Sequence, residues 1–392
     1  PIAAQNSPTS SGGIVSFDRT YGGGAVQGAH RIALGPGREA KLTAGIEFET
    51  YREDRQGHVN TRGERGALKR DEINTVRSTD VFVQASYDLT PQWTLTAGAR
   101  HSHIEFTSDD RYIVAGNPDD SGRLAFSATN PVAGIAWRVT PTINAYANVG
   151  RGFETPTFNE LSYQPNGLTG LNTALKASRS QHAEVGVKWK LSDTQRLDAA
   201  VFNIATDDEL VVNSNVGGRS TFRNAGRTSR RGLELSHAAE LNPALHSVVS
   251  LTVLRARFDD AFVSGSGSTA TPVRAGNRLP GTPDRQLYAE LAWSPGDAWG
   301  GLSGAAEVAH SGRLYVNDAN SDATSTSTVF NLRASWRQTV GGWQISERLR
   351  IDNLTDRRYA GSVIVNEGNG RYFEPALPRT WSIGITATHA WQ

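Results

Sequence analysis

Residues 343–352 (WQISERLRID) show the feature that most constrains the fold: apolar and polar residues alternate with a period of two. The odd-numbered positions are apolar apart from one Glu, and every even-numbered position is polar. Segments 286–294 and 379–391 repeat the pattern, whereas a helical period is almost nowhere sustained. Because successive side chains of a β-strand point to opposite sides, these segments are predicted to be strands of a sheet that is apolar on one face only.

The connections between these segments alternate between short and long from about residue 36 to the C-terminus. Most short turns contain Pro, Gly, Asp or Asn, as hairpin turns require. An outer-membrane barrel has short periplasmic turns and long extracellular loops, whereas a soluble sandwich has no reason to collect its long loops at one end. The chain is therefore predicted to be an all-β, transmembrane, antiparallel up-and-down β-barrel. The short turns lie at 34–38, 88–92, 138–142, 190–194, 241–245, 294–300 and 339–342, and the long connections at about 52–77, 107–124, 151–179, 208–227, 258–283, 313–325 and 354–378.

Counting strands backward from the C-terminus gives fourteen, and two weaker candidates at 12–19 and 26–35 raise the prediction to about sixteen. Residues 1–392 are accordingly predicted to form a single β-barrel domain. The fourteen stronger candidates are 38–51, 76–88, 92–106, 125–138, 141–150, 180–191, 194–206, 228–240, 244–257, 284–294, 301–312, 326–338, 342–353 and 379–391.

Composition narrows the class of protein further. The 392 residues include no Cys, which excludes disulfides and thiolate metal sites, and no segment approaches the ~20 apolar residues of a membrane-spanning helix. The 40 basic and 39 acidic residues nearly balance, which argues against a nucleic-acid partner. The low overall hydrophobicity agrees with a membrane barrel, because only alternate residues of its strands face lipid.

No motif in the sequence predicts catalysis or a metal site. The nine His are scattered, and the one close pair, His101 and His103, lies on one face of a strand without an evident third ligand. Pairs of Asp at loop starts are interpreted as solvated carboxylates rather than Ca²⁺ ligands. Sequence leaves open a dispersed Ser–His–acid site of the kind some outer-membrane barrels use, but no residue supports one. We therefore predict a protein that is not an enzyme, with no catalytic residue, no resident metal and no cofactor.

Two groups of residues near the predicted extracellular end are candidates for binding an anionic solute. Arg pairs with carboxylates through two hydrogen bonds and Tyr stacks on flat chelates, so a metal chelate or an acidic cofactor would fit. The alternative is that these Arg bind lipopolysaccharide phosphates or neighbouring loop carboxylates. The candidates are Arg357, Arg358, Arg371, Tyr372 and Phe373 in one segment and Arg219, Arg223 and Arg227 in the other.

Six local patterns occur in a characteristic order over residues 80–392. They are a strand ending Gly98-Ala99-Arg100, then GRGFETPTFNEL, LKASRSQHAEVG, FRNAGRTSRRGLEL, NRLPGTP, and finally IDNLTDRRY with PRTWSIGI. Together they resemble the TonB-dependent outer-membrane receptors. The motif residues are Gly152, Phe153, Pro156, Asn159, Glu160, Leu161, Asn224, Gly226, Gly232, Glu234, Asn353, Leu354, Asp356, Tyr359 and Trp381.

The second of these patterns, RGFETPTFNEL, follows a predicted upward strand and begins a long loop. Pro156 is expected to stop strand pairing. Phe153 and Phe158 are expected in the outer aromatic girdle or at the loop base. Glu160 is interpreted as a carboxylate that anchors the loop rather than as a catalytic acid.

The resemblance implies a globular plug followed by a barrel of twenty-two strands whose lumen the plug fills. Nothing in the chain resembles the plug or the short N-terminal box that engages the energising protein. Sixteen strands counted from the C-terminus would correspond to the family's strands seven to twenty-two. We therefore expect the C-terminal part of a receptor barrel, with the plug and the first strands missing. A natural plugless derivative is the less favoured alternative, and the sequence upstream of Pro1 would decide.

The resemblance further implies an active importer of a scarce solute, most often a ferric siderophore, in the outer membrane of a Gram-negative bacterium. The stretch 362–375 is somewhat closer to receptors associated with pyrroloquinoline quinone uptake. The alternatives are a plugless, porin-like passive channel of about sixteen strands and a surface docking site for a phage or bacteriocin. The implied partners are outer-membrane lipid and lipopolysaccharide, together with a small-molecule chelate or cofactor. The TonB complex would be contacted through the missing N-terminal region, and the barrel-assembly machinery through the C-terminal strand near Trp391. No nucleic acid is expected as a partner.

Overall fold

A computed structural model describes residues 13–164, 170–216, 219–265 and 270–389. Fifteen long strands form one antiparallel sheet in which strands that follow one another along the chain are also neighbours in space. Three further hairpins, β9–β10, β13–β14 and β19–β20, lie in the long connections. The strands are β1 Ile14–Gly35, β2 Arg38–Thr61, β3 Glu64–Asp88, β4 Trp93–Asp110, β5 Gly122–Thr140, β6 Ile143–Glu154, β7 Ser178–Ser192, β8 Gln195–Asp207, β9 Leu210–Val216, β10 Arg219–Asn224, β11 Thr228–Asn242, β12 Leu245–Phe258, β13 Phe262–Ser264, β14 Thr271–Val273, β15 Arg285–Trp293, β16 Leu302–Ser311, β17 Ser327–Val340, β18 Trp343–Asp352, β19 Ala360–Val363, β20 Phe373–Pro375 and β21 Thr380–His389.

The prediction of an all-β, antiparallel, up-and-down sheet is confirmed, but the count of sixteen strands is wrong by one. Residues 14–19 and 26–35 of these candidates belong to the single strand β1, which pairs with β2 from Ile14 opposite His58 to Ala33 opposite Glu39, while residue 12 lies outside the described residues. The glycines between the two candidates interrupt the side-chain pattern in the sequence. They do not interrupt the backbone ladder, because glycine keeps its N–H and C=O groups.

The predicted long connection at 52–77 is also wrong. Strands β2 and β3 continue as a hairpin to a two-residue turn at Arg62 and Gly63, whose φ angles of 58° and 95° are those of a tight hairpin turn. Polar residues occupy both faces of this extension, so the apolar alternation that reveals a strand in the sequence is lost although the backbone pairing persists.

The remaining long connections contain short elements of structure. A one-turn helix, α1, spans Phe158–Leu161, and the turn between β15 and β16 contains a 3-10 helix, Gly296–Trp299. Within the described residues, no helix has both the length and the apolar character needed to cross a membrane.

The two faces of the sheet differ in chemistry. The outer face, as we name it, carries large apolar side chains that are exposed, such as Val149, Val185 and Ile385. Seven Trp lie close to the short turns, at positions 93, 137, 189, 293, 299, 336 and 343. Trp93 stacks on Trp137 with ring centroids 5.0 Å apart. Exposed apolar side chains bounded by a row of Trp are typical of a surface that faces lipid, with the aromatic row at one interface.

The opposite, inner face is polar and contains three pairs of an aromatic residue and a glycine directly across neighbouring strands. A Cβ atom at Gly45 would lie 2.7 Å from Cζ of Phe82, and one at Gly186 or Gly232 would overlap the ring of Tyr146 or Phe202. The glycines therefore provide the space across which the rings lie, which gives a physical reason for Gly232 in the family pattern.

Candidate functional site

The long loops fold over the inner face at one end of the sheet and are held there by two apolar clusters. The α1 cluster joins the helix and the segment after it to the inner face of β4 and β5, and the β12 cluster joins the loops before β11 and before β15 to β12. The α1 cluster contains buried Phe106, Leu161, Leu171 and Leu175. The β12 cluster contains buried Ala225, Ala256, Phe258, Val273 and Leu279.

Helix α1 is the structure adopted by the RGFETPTFNEL motif. Thr157 caps the helix, and its backbone N–H donates to the carboxylate of Glu160 at 2.7 Å, while the Thr157 hydroxyl accepts from the Glu160 N–H at 3.4 Å. This capping box satisfies two donors that the helix end leaves free. The carboxylate of Glu160 thus lies in the helix cap, and Leu161 one position later is fully buried in the α1 cluster.

Four separate loops meet at Asp318, which is 1% exposed. Its Oδ2 accepts hydrogen bonds from Nδ2 of Asn366 at 2.9 Å and from Oγ of Ser264 at 3.2 Å. Asn366 also donates to the backbone oxygen of Val212 at 2.8 Å. We call Val212, Ser264, Asp318 and Asn366 the four-loop junction, because each residue comes from a different connection.

Burial raises the pKa of Asp318, against the opposing effects of its hydrogen bonds and of the Arg223 charge. A carboxyl whose pKa is higher in the folded state stabilises that state below its unfolded pKa, and this stabilisation is lost as the pH rises through the folded pKa. We therefore expect the junction to be tighter in acid than at neutral pH. Amide hydrogen exchange of residues 312–326 and 353–379, corrected for intrinsic rates, should show more protection at pH 4 than at pH 7.

The variant Asp318→Asn keeps an oxygen acceptor and removes the titration, so this difference in protection should disappear. Asp193→Asn, in an exposed turn at the opposite end of the sheet, serves as the control and should behave like the wild type. Equal pH dependence in wild type and Asp318→Asn would contradict the assignment.

A cleft of about 700 Å³ lies on the inner face beneath the loop 353–379. This volume is within the range of small-molecule sites. Polar side chains from β15, β17 and β18 line it together with Tyr359 of the loop, and Leu377 and Pro378 also contribute. The polar lining residues that matter here are Gln286, Tyr288, Asn331, Asp352 and Tyr359.

A ladder of ion pairs crosses four strands beside this cleft. Glu307, whose side chain is 4% exposed, accepts from both terminal nitrogens of Arg350 at 2.8 Å. Arg350 also contacts Asp352 at 2.8 Å, and Arg333 pairs with Glu290 at 2.7 Å. The charges of the ladder are satisfied by one another, so its main effect is to fix the strands that form the cleft.

Three of the predicted ligand-binding Arg have their side chains engaged within the loops. Arg227 forms two hydrogen bonds to the carboxylate of Asp260, at 2.9 and 3.1 Å, and holds the pKa of that carboxyl below its usual range. Arg223 lies over the ring of Phe262 and donates to the backbone oxygen of Val263. Arg357 donates to the backbone oxygen of Thr326 at 3.0 Å. Arg219 begins β10, and its side chain lies outside the described residues.

The other predicted residues lie together in the loop 353–379. Arg358 and Arg371 are exposed and form no side-chain hydrogen bond or ion pair within the described ranges. Tyr372 and Phe373 are in edge-to-face contact at 6.4 Å. All four belong to the loop 353–379, whose tip is held by the backbone N–H of Arg371 donating to Glu367 at 2.9 Å. The loop beside the cleft therefore presents two unpaired cations and two aromatic rings.

Several motif residues lie where the loops leave the sheet. Asn224 hydrogen-bonds to both the N–H and the C=O of Lys176, at 2.9 and 3.0 Å. Asn353 is 3% exposed, has a φ of 53° and hydrogen-bonds to both Arg357 and Leu377. The other motif residues are spread over several elements. Gly152 and Phe153 lie on β6, Pro156 is buried, Asn159 is exposed on α1, Glu234 is exposed on β11 and Trp381 is exposed on the outer face. Gly226 has a φ of 86°, the backbone N–H of Leu354 donates to the backbone oxygen of Phe330, and the carboxylate of Asp356 accepts from the backbone N–H of Arg379.

Gln286, Tyr288 and Asn331 line the cleft but were not singled out from the sequence. Their signal is a polar side chain at an inner-facing position near the end of a strand from which a long loop leaves. Many residues share that property, and only the folded loop selects those that face the cleft. His101 and His103 hydrogen-bond to Thr129 and Ser127 on β5, and no group of three or more metal-ligating side chains occurs in the part of the chain that the structure describes.

The chain is similar in sequence and in fold to known proteins of one family. The family model described as "TonB dependent receptor-like, beta-barrel" matches residues 3–354. The chain is 22% identical over 339 residues to the pesticin receptor of Yersinia enterocolitica, covering 85% of this chain and 47% of that receptor. Its fold resembles the ferric yersiniabactin uptake receptor FyuA from Yersinia pestis (TM-score 0.72, 20% identity, 95% of this chain and 54% of that chain) and the siderophore receptor PiuA from Acinetobacter baumannii (TM-score 0.75, 18% identity, 95% and 56%).

The chain thus spans about half the length of the proteins that it matches. The family match covers most of the sheet, from β1 into the start of the loop after β18. The chain belongs to the β-barrel family of the TonB-dependent receptors.

Proposed function

We propose that the protein takes up a ferric siderophore or another metal chelate across the outer membrane, with energy supplied through a TonB complex. The family match over residues 3–354 carries this proposal, because TonB-dependent receptors are outer-membrane proteins of Gram-negative bacteria that bind such solutes. Contact with the TonB complex through a region N-terminal to this chain and contact with the barrel-assembly machinery through the C-terminal strand are parts of the same proposal. Trp391, which suggested the second contact, lies outside the described residues.

The cleft and the loop 353–379 are the proposed solute-binding surface. Arg358 and Arg371 have unpaired guanidinium groups that suit the carboxylates or the net negative charge of a ferric chelate. Tyr372 and Phe373 offer aromatic faces beside them. Once captured there, the solute would enter the cleft, whose polar lining includes Tyr288, Asn331 and Tyr359.

Pyrroloquinoline quinone remains the second candidate solute, because it is flat and acidic and so matches the same residues. The passive-channel alternative is not favoured, since the relatives are receptors rather than porins. A channel would also transport without the TonB complex. Uptake in cells that lack TonB therefore separates the two functions.

The test of the proposal measures uptake of ⁵⁵Fe-labelled siderophores by iron-starved cells that make the protein. The double variant Arg371→Gln/Tyr372→Ala should weaken binding about tenfold, because it removes one unpaired charge and one stacking face. Arg111→Gln, an exposed Arg in a loop that does not line the cleft, is the matched control and should retain uptake.

Two outcomes would overturn the proposal. Unchanged uptake in the double variant would remove the loop 353–379 from the binding surface. Uptake that is equal with and without TonB, accompanied by a large steady conductance in planar bilayers, would make the protein a passive channel.

A further inference from the structure

The tip of the loop 353–379 contains an Asn-Gly dipeptide in an open position. The sequence has two such dipeptides, of which 166–167 lies outside the described residues and 369–370 lies in this loop. Asn369 and Gly370 are both exposed. A Cβ atom placed on Gly370 would have no atom within 4 Å apart from those of its chain neighbours. The peptide bond that follows Asn369 is therefore accessible and has no side chain on its C-terminal side.

An Asn side chain reacts most readily with its own backbone when glycine follows, because glycine has no Cβ atom to obstruct the approach. The backbone nitrogen of Gly370 attacks Cγ of Asn369, the bond from Cγ to Nδ2 breaks, and ammonia leaves with the proton of the attacking nitrogen. Water then opens the five-membered succinimide that results. Opening at Cγ gives aspartate, and opening at the backbone carbonyl carbon gives isoaspartate. The reaction consumes water and requires no enzyme, metal or oxidant.

The attacking nitrogen is only weakly engaged in the structure. The N–H of Gly370 donates to the backbone oxygen of Glu367 at 3.4 Å, which is long for a hydrogen bond. The neighbouring N–H groups of Asn369 and Arg371 donate to the Glu367 carboxylate at 2.7 and 2.9 Å. Of these three nitrogens, that of Gly370 is the one most easily released for the attack.

The Glu367 carboxylate determines what the reaction does to the loop. Hydrogen bonds from Arg371 and Asn369 hold the pKa of this carboxyl below its usual range, so it is ionised at neutral pH. The side-chain amide of Asn369 also donates to it, at 2.9 Å. Conversion replaces this donor with a second carboxylate, which repels the first. The charge of residues 366–371 falls from 0, the sum of Glu367 and Arg371, to −1.

We propose that Asn369 is a site of spontaneous covalent modification, at which conversion to isoaspartate and aspartate releases the loop tip from Glu367. Newly made and aged copies of the protein then differ in the charge and in the order of this tip. The proposal goes beyond solute uptake and holds whichever solute the loop binds.

The test ages the protein, purified in detergent, at neutral pH in buffer made with ¹⁸O-water. Opening of the succinimide puts one ¹⁸O atom into the new carboxyl group, which separates conversion during ageing from conversion during a later digestion in ordinary water. Trypsin releases the peptide 359–371, which contains both Asn366 and Asn369. We expect Asn369 to convert at least about tenfold faster than Asn366, which precedes Glu and whose Nδ2 donates to Val212 and Asp318.

Two variants test the chemistry and its effect on the loop. Gly370→Ala should slow conversion of Asn369 by about tenfold, whereas Gly368→Ala, at an exposed glycine that does not follow an Asn, is the matched control and should convert at the wild-type rate. Asn369→Asp carries the added charge from synthesis. Its amides over 367–372 should exchange about tenfold faster than those of fresh wild type.

Three results would overturn the proposal. The first is conversion of Asn369 no faster than that of Asn366. The second is conversion in urea-unfolded protein but not in folded protein, because the fold would then protect the dipeptide; this comparison requires no variant to fold. The third is unchanged amide exchange in Asn369→Asp, which would mean that the tip is not released. Solute uptake is not measured, so failure here leaves the proposed function standing.

Discussion

The variant Glu307→Gln should lower the free energy of unfolding by about 2 kcal/mol, because it leaves Arg350 and Arg333 without their shared carboxylate. Breaking a fully buried ion pair costs ~3–5 kcal/mol. The expected loss is smaller here because Arg350 keeps its contact with Asp352, and because 36% of the Arg350 side chain is exposed, so that water screens part of its charge. Urea-induced unfolding in lipid vesicles, followed by the heat-dependent gel mobility of the folded barrel, measures the change.

Two further variants make this prediction specific. Glu234→Gln removes an exposed carboxylate from the same face, and we expect a change of less than about 0.5 kcal/mol. The double variant Glu307→Gln/Arg350→Gln should recover part of the loss, since it removes the guanidinium of Arg350 that would otherwise keep only Asp352 as a partner. A single variant as stable as the wild type would mean that the ladder does not stabilise these strands.

The second large effect is expected for Leu161→Ala in the α1 cluster. Leu161 is fully buried, and removing a buried Leu side chain costs about 3 kcal/mol through lost burial and the cavity left behind. The loss should appear locally, because the cluster holds a loop rather than the sheet. Amide exchange over residues 155–164 and 170–177 should accelerate by roughly 100-fold, while protection of the strands β11 and β12 stays unchanged.

The control for this variant is Leu377→Ala, in which a Leu that is 75% exposed is removed from another loop. It should change the exchange of neither segment by more than about twofold. If Leu161→Ala instead unfolds the whole sheet, the loop is part of the barrel core rather than a cover over its inner face.

The fold could be predicted from the sequence wherever a face in contact with lipid requires apolar residues at alternate positions. That requirement ends beyond Phe48 on β2 and Val81 on β3, and there the prediction failed, because most residues on both faces are polar and show no apolar alternation. The split of β1 has the same origin, since Gly22, Gly23 and Gly24 supply no side chains to show a period.

The candidate site was less accessible to sequence reasoning. The pairing of Arg227 with Asp260 joins residues that are 33 positions apart, and nothing local distinguishes this Arg from the unpaired Arg371. The motif residue Asn224 marks where a loop leaves the sheet and does not line the cleft, whereas Asn353 does both. The cleft itself depends on how the loop 353–379 folds back, which is a long-range property.

The row of Trp beside the short turns also determines what an optical experiment on this protein would report. Seven of its nine indole groups lie near one plane of the sheet, so the intrinsic emission comes mainly from that plane. Lipids brominated near their headgroups should quench this emission strongly, and lipids brominated at the bilayer centre should quench it weakly. The intrinsic Trp fluorescence can therefore report how deeply the protein is inserted into a membrane, without any attached dye.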